Sequence, residues 1–197
     1  MSSIAPDPAE LAPAWFWLLG ADLARHAQHD ASRIVQLATV RADGRPANRS
    51  LVFRHFASRG RLVFTSDMRS GKASELADRP WAEACWYFPD ARVQWRLLGR
   101  CELSADPADA EIEKLRGKLW AELPPSTRAT FLWPAPGGLR SPRKDFRVEA
   151  TDTPPETFQL LVLDPEQVER LDLREAPHRR QRWEFGQGGW MPREINP

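Results

Sequence analysis

The sequence predicts a mainly β fold, an antiparallel barrel-like core with two or three appended helices, on three observations. Short runs rich in β-branched and aromatic residues recur along most of the chain, several joined by turn signals such as Asp43-Gly44 and Gly188-Gly189. Few stretches carry apolar residues at helical spacing. With 197 residues, the chain is long enough for one domain with a substantial core and short for two. Its many strands are therefore expected to share one core, and closure disposes of the edges they would otherwise expose.

The elements follow in order. Residues 1–8 are polar and proline-rich and read as a flexible start. Over 8–29, Leu11, Trp15, Leu18, Leu19 and Leu23 recur at helical spacing and predict one amphipathic helix. Residues 33–40, 49–56 and 62–66 are strand-like, separated by the Asp-Gly turn and by Ser58-Arg59-Gly60, and predict an antiparallel meander. A short helix follows over 70–78, with Ser70 at the N-cap and Pro80 beyond its end. Residues 82–88 and 92–103 form a second hairpin through Pro89-Asp90. A longer helix over 107–120 has a proline in its first turn and Ile112, Leu115 and Leu119 in step. Residues 123–155 are a Pro/Gly/Arg-rich loop, too long to be idle in a compact domain. Residues 157–163, 167–173, 181–185 and 190–195 read as further short strands.

Charge narrows the function. Twenty-eight basic and 27 acidic residues leave a net charge of +1, so there is no global field to draw the protein onto nucleic acid or an anionic membrane, and any cationic site is local. The two cysteines, Cys85 and Cys101, form no metal-type pair, and no metal site is expected. No charged-then-apolar leader opens the chain, which reads as cytoplasmic, and no apolar run approaches the length of a membrane span. Nine tryptophans suit either core packing or the covering of a flat ligand or subunit interface.

Three cationic groupings are candidate chemistry. Arg49 and Arg54 share a strand, but their separation places them on opposite faces unless a bulge intervenes. Thr65, Ser66, Arg69, Ser70 and Lys72 combine hydroxyls and cations with a helix start, a setting that favours phosphate. No nucleoside-triphosphate loop string is present, so a phosphate held without Mg²⁺, as in a mononucleotide cofactor, fits better than ATP; the competing reading is a solvated turn with a capped helix. His178-Arg179-Arg180-Gln181-Arg182 is the densest positive patch, flanked by Glu169, Asp172, Glu175 and Glu184, which argue against a nucleic-acid surface.

The order Arg49-x-x-Val52-x-Arg54, then Thr65-Ser66-x-x-x-Ser70-x-Lys72, then Gln94-x-Arg96, then His178-Arg179-Arg180-x-Arg182 with Trp190 and Asn196-Pro197 resembles the pyridoxamine 5'-phosphate oxidase family. More narrowly it is similar to the oxidase-related FMN-binding proteins, over roughly residues 10–197. The resemblance implies an FMN-binding split β-barrel, a homodimer with FMN in clefts between subunits, and oxidation of a small anionic substrate. It implies that Arg49, Ser66 and Lys72, with the helix start at Ser70, hold the FMN phosphate. Val52, Thr65 and Gln94 would lie by the cofactor, and Arg182 would approach it from the C-terminal segment. Arg54, Arg128, Arg179 and Arg180 would receive the substrate.

The departures fall mostly on the substrate side. Gly71 stands where the oxidases proper carry a phosphate-binding arginine, and Leu171 about where they carry a tryptophan near the flavin. Trp120, Pro124 and Arg128 stand where they place a Tyr, an Arg and a Ser on the substrate phosphate, and Gly137-Gly138 falls near a Gln-Ser that touches FMN. Pyridoxamine phosphate as substrate is thereby less well supported than FMN as cofactor. Two other readings stay open: a non-catalytic flavin, deazaflavin or haem-binding barrel, which His55 and His178 permit, and an arginine-rich C-terminal surface for acidic partners.

Overall fold

A computed structural model describes residues 12–104 and 109–197. The expected flexible start, the first residues of the helix expected over 8–29, and the Pro107 start of the second helix lie outside the described residues.

Helix α1 (Ala14–Arg25) buries Trp15, Leu19 and Asp22, positions one and two turns apart on one face. It is followed by strands β1 (Ile34–Val40), β2 (Pro46–Phe56) and β3 (Leu62–Asp67), the expected meander. Helix α2 (Gly71–Asp78) leads to the hairpin β4 (Trp81–Phe88) and β5 (Val93–Leu103). Helix α3 (Ala110–Glu122) starts at Asp109, whose carboxylate accepts the Ile112 N–H at 3.1 Å, the bond that an N-cap makes. Helix α4 (Pro125–Thr130) and a 3₁₀ turn at Arg143–Phe146 lie within the stretch expected to be loop. Strands β6 (Phe158–Asp172), β7 (Arg179–Gly186) and β8 (Gly189–Ile195) complete the chain.

Strand order is β3-β2-β1-β4-β5-β6-β7-β8, and β3 also pairs with β6. Six strands thus close into an antiparallel barrel, while β7 and β8 continue from the second half of β6. The interior is packed by Val35, Leu37, Phe53, Phe64, Trp86, Trp95, Leu97 and Leu161, with Trp15 and Leu19 of α1 joining the same cluster. A second cluster joins Val63, Phe158 and Leu160 to Ile112, Leu115, Leu119 and Trp120 of α3, so β3 and the start of β6 are covered on both faces. Trp15, Trp86, Trp95, Trp120 and Trp183 are buried; core packing accounts for five of the nine tryptophans. Three of them satisfy their indole N–H inside: Trp86 on Ser32 O at 2.6 Å, Trp95 on Asp22 Oδ2 at 3.0 Å and Trp120 on Thr151 O at 3.2 Å.

Two bulges shape the sheet: the first corrects the sequence reading, and the second is the bulge the Arg49–Arg54 spacing left open. The two strands expected at 157–163 and 167–173 are one strand, β6, because Asp164-Pro165-Glu166 forms a bulge rather than a turn: Leu98 faces Gln167 while Gly99 faces Pro165. Gly99 permits that approach, since a Cβ there would sit 2.0 Å from Asp164 O. On β2, Phe53 faces Phe64 while His55 faces Val63, so Arg54 is the extra residue of a second bulge.

Candidate functional site

The switch from β3 to α2 builds a cationic corner. Ser66 is buried near the end of β3, and Ser70 occupies the N-cap position of α2. Its hydroxyl does not cap the helix: it donates to Asp67 O at 2.7 Å and accepts from Lys72 Nζ at 2.8 Å. The backbone N–H groups at the start of α2 keep their outward dipole without a side-chain cap. Burial lowers the Lys72 ammonium below its ordinary value, the neighbouring Arg49 charge adds to the effect, and Asp67 and Glu75 oppose it. No carboxylate among the described residues comes within ion-pair distance of Lys72.

Arg49 reaches this corner from β2. Its guanidinium donates to Glu75 Oε2 at 2.7 Å, to Thr39 Oγ1 at 2.5 Å and to Leu37 O at 3.3 Å. Thr39 donates in turn to Glu75 Oε2 at 2.5 Å, so β1, β2 and α2 are tied at one point. Arg69 is used differently from Lys72. It holds both oxygens of Asp67 and donates to the Phe131 and Trp133 carbonyls, joining the turn before α2 to the segment after α4.

A second grouping lies on the outer face of the sheet. The register aligns Ser50, Gln36, Cys85, Arg96, Glu169 and Arg182 in one row across β2, β1, β4, β5, β6 and β7. Beside it run Val52 opposite Ile34, and Gln94 opposite Tyr87 and Leu171, with Arg180 opposite Leu171. Val52, Gln94, Arg180 and Arg182 therefore share one face, opposite the core side chains Trp95 and Leu97. Arg180 and Arg182 both bind the buried Glu169 carboxylate, and Arg96 bridges Glu83 and Glu169.

The remaining expected residues stand apart from these two groups. Thr65 is half-buried on β3 opposite Leu160. Arg54, in its bulge, is half-buried with Nε unpartnered, and burial and the nearby Arg33 charge lower its pKa. Arg179 alternates to the face away from Arg180 and pairs with the exposed Glu194 at 2.5 Å. Arg128 lies on α4, donates to Thr151 O at 3.1 Å and stacks over Trp120, its Nε without a partner. Trp120 itself is a core residue of the second cluster.

Sequence reasoning missed Thr39, Glu75 and Glu169, which orient the arginines it found. Glu75 carries no motif; only its place one turn after Lys72 on α2 hinted that it faces the same corner. Glu169 is visible in sequence only as an acid near a basic run.

An antiparallel barrel closed over six strands, with flanking helices and a cationic helix start beside it, is a fold that presents a candidate anion site. A family model described as "Pyridoxamine 5'-phosphate oxidase, FMN-binding domain" matches residues 12–105. Pyridoxine/pyridoxamine 5'-phosphate oxidase 2 of Arabidopsis thaliana is 31% identical over 196 residues, covering 93% of this chain and 96% of the relative. A bacterial oxidase from Pseudomonas syringae is 34% identical over 129 residues, and the match spans only 58% of its length. The crystal structure of a pyridoxamine 5'-phosphate oxidase-related, FMN-binding protein from Nostoc punctiforme superposes with a TM-score of 0.88 at 39% identity, over 95% of this chain and all of that one. PhzG from Burkholderia lata, solved with tetrahydrophenazine-1-carboxylic acid, shares the fold with a TM-score of 0.79 at 21% identity. The chain belongs to the pyridoxamine 5'-phosphate oxidase FMN-binding family. Its cofactor is FMN, and the residues present suit it: a desolvated ammonium, a second cation and an uncapped helix start fit a phosphate dianion. Among the described residues, no helix is long and apolar enough to cross a membrane.

Proposed function

We propose that the protein is an FMN-dependent oxidoreductase of the cytoplasm that acts on a small anionic substrate as a homodimer with the cofactor between subunits. The supporting observation is Lys72, whose ammonium is partly desolvated beside Arg49 at the start of α2 and has no carboxylate within ion-pair distance among the described residues. A cation in that state gains most from an incoming phosphate.

In this reading Arg49, Ser66, Ser70 and Lys72 receive the FMN phosphate, with Glu75 and Thr39 holding the Arg49 guanidinium in place. Val52, Thr65 and Gln94 line the ring, and Arg182 lies by its polar end. Bound FMN supplies two-electron redox chemistry. The protein's own part is to hold the ring edge against the substrate and to place a fixed cation, Arg182, where negative charge accumulates on reduction. Arg54, Arg128 and Arg180 orient the substrate anion by charge-assisted hydrogen bonds, while Arg179, on the other face of β7 and paired with Glu194, does not join them. Arg54 suits this best: its buried Nε, like that of Arg128, has no partner among the described residues, but Arg128 is already held by Thr151 O. The names of the relatives make pyridoxamine 5'-phosphate the first substrate to test.

The test is the visible spectrum of the purified protein, identification of the molecule released on denaturation, and oxygen uptake with pyridoxamine 5'-phosphate. A yellow protein that releases FMN and consumes oxygen with an anionic amine is the expected result. A protein that binds FMN but turns over no such substrate would remove the enzymatic reading.

A further inference from the structure

We propose that Glu169 is the positioning residue that sets the pose of Arg182 and Arg180 on the outer face of the barrel. The inference rests on the reading above that Arg182 adjoins FMN and Arg180 the substrate; it adds the group that makes those arginines rigid.

Glu169 lies in the last third of β6 with its side chain only 4% exposed. Burying a carboxylate is unfavourable unless it is paired and fully hydrogen-bonded, and this one is saturated in an ordered way. Oε1 accepts both Nε and an Nη of Arg182 at 2.8 Å. Oε2 accepts Nε of Arg180 at 3.1 Å and its Nη2 at 2.5 Å. Each oxygen thus holds one guanidinium, and each arginine is fixed through two nitrogens, which defines its plane as well as its position. From the other side, Arg96 Nη1 approaches Oε2 at 3.6 Å, and Gln167 Nε2 donates to Oε1 at 3.3 Å.

The backbone enforces the arrangement. Arg96, Glu169 and Arg182 are directly opposed on β5, β6 and β7, so their side chains leave the same face at strand spacing. Arg180 and Arg182 alternate onto that face together, with Gln181 pointing away. A structural ion pair needs one partner. Here one buried anion organises three cations, and with Glu83 and Glu184 counted, the latter 3.6 Å from Arg182, the cluster of three arginines and three glutamates is balanced in charge. Guanidinium groups held in fixed planes on the face shared with Val52 and Gln94 offer directed donors rather than net charge to an anion.

The experiment is a double-mutant cycle on FMN affinity in the full-length protein, read by quenching of flavin fluorescence. Glu169→Gln and Arg182→Ala are each expected to weaken FMN about tenfold, the scale of one charge-assisted hydrogen bond. The double variant should bind no more weakly than Arg182→Ala alone, because Glu169 acts on FMN through Arg182. A merely structural Glu169 would give losses that multiply, and that outcome overturns the inference. Wild-type affinity in Glu169→Gln alongside a weakened Arg182→Ala also overturns it while leaving the cofactor reading intact. If Arg182→Ala binds FMN normally, the cofactor reading of Arg182 fails and this inference fails with it. Should Glu169→Gln not fold, Glu169→Asp keeps the charge but shortens its reach. It is expected to weaken FMN several-fold, and unchanged affinity would count against Glu169.

Discussion

Gly71 offers a single-residue test of the proposed phosphate site at the start of α2. It is the first residue of α2, exposed, and a Cβ there would meet nothing closer than Glu75 Oε1 at 4.0 Å. Neither space nor backbone demands glycine, so the position is open to a longer side chain. The oxidases that the sequence resembles place an arginine there. Gly71→Arg should therefore tighten FMN about tenfold, as expected for one added charged hydrogen bond, by fluorescence titration. The same cation opposes the helix dipole, so the FMN-free protein should lose about 0.3–1 kcal/mol in urea unfolding. Opposite signs in the two measurements would place the phosphate at this helix start; a variant with unchanged affinity would place it elsewhere. Lys72→Ala is the complementary change, expected to weaken FMN by about 1.5–3 kcal/mol. It should leave riboflavin, which lacks the phosphate, bound as in the parent.

The elements were largely legible because their signals are local. Period-two runs marked β1 to β5, and the Asp-Gly and Gly-Gly pairs marked the β1–β2 and β7–β8 turns. What escaped depended on partners distant in sequence. Asp164-Pro165-Glu166 looks like a turn to any local reading; it is a bulge because Gly99, 65 positions earlier, lets β5 approach. The bulge at Arg54 was conceivable from sequence but could be located only through the Phe53 and His55 pairings with β3. The site divides the same way. Lys72 and Ser70 were readable from a strand-to-helix switch, whereas Glu75 and Glu169 became visible only once α2 and β6 were placed against β2 and β7. Gly99→Ala tests the bulge: with backbone only 2.0 Å from the new Cβ, the strand pair must shift, and a loss of about 1–3 kcal/mol in urea unfolding is expected. Lys72 gives α2 a pH signature. Its folded value lies below the ordinary 10.5, so in the window between the two the unfolded chain binds more protons. Stability of the FMN-free protein should rise with pH through that window. FMN affinity should fall there, because phosphate prefers the charged ammonium. Lys72→Met should remove this site's contribution to both slopes, seen in unfolding and in titration across the alkaline range.

At the scale of the molecule, the barrel is a frame that presents Lys72, without a carboxylate in ion-pair distance among the described residues, beside arginines that Glu75 and Glu169 hold in place. The core is closed by six paired strands and covered by α1 and α3. The corner at Lys72 instead carries desolvation and repulsion from the neighbouring Arg49 charge, which an anion relieves. Cofactor binding should therefore act as stabilisation by mass action without a change of fold. With FMN at about one hundred times its Kd the gain is about 2.7 kcal/mol. For a chain of 197 residues that corresponds to a rise in the unfolding midpoint of about 5–10 °C. Riboflavin at the same concentration keeps the ring contacts and lacks the phosphate, so its shift should be much the smaller. Differential scanning calorimetry with the two ligands separates the corner from the face. Equal shifts would mean that the ring alone is recognised and that Lys72 serves the fold rather than the cofactor. A large shift with FMN and a small one with riboflavin would assign the dominant share of binding to the phosphate at the start of α2.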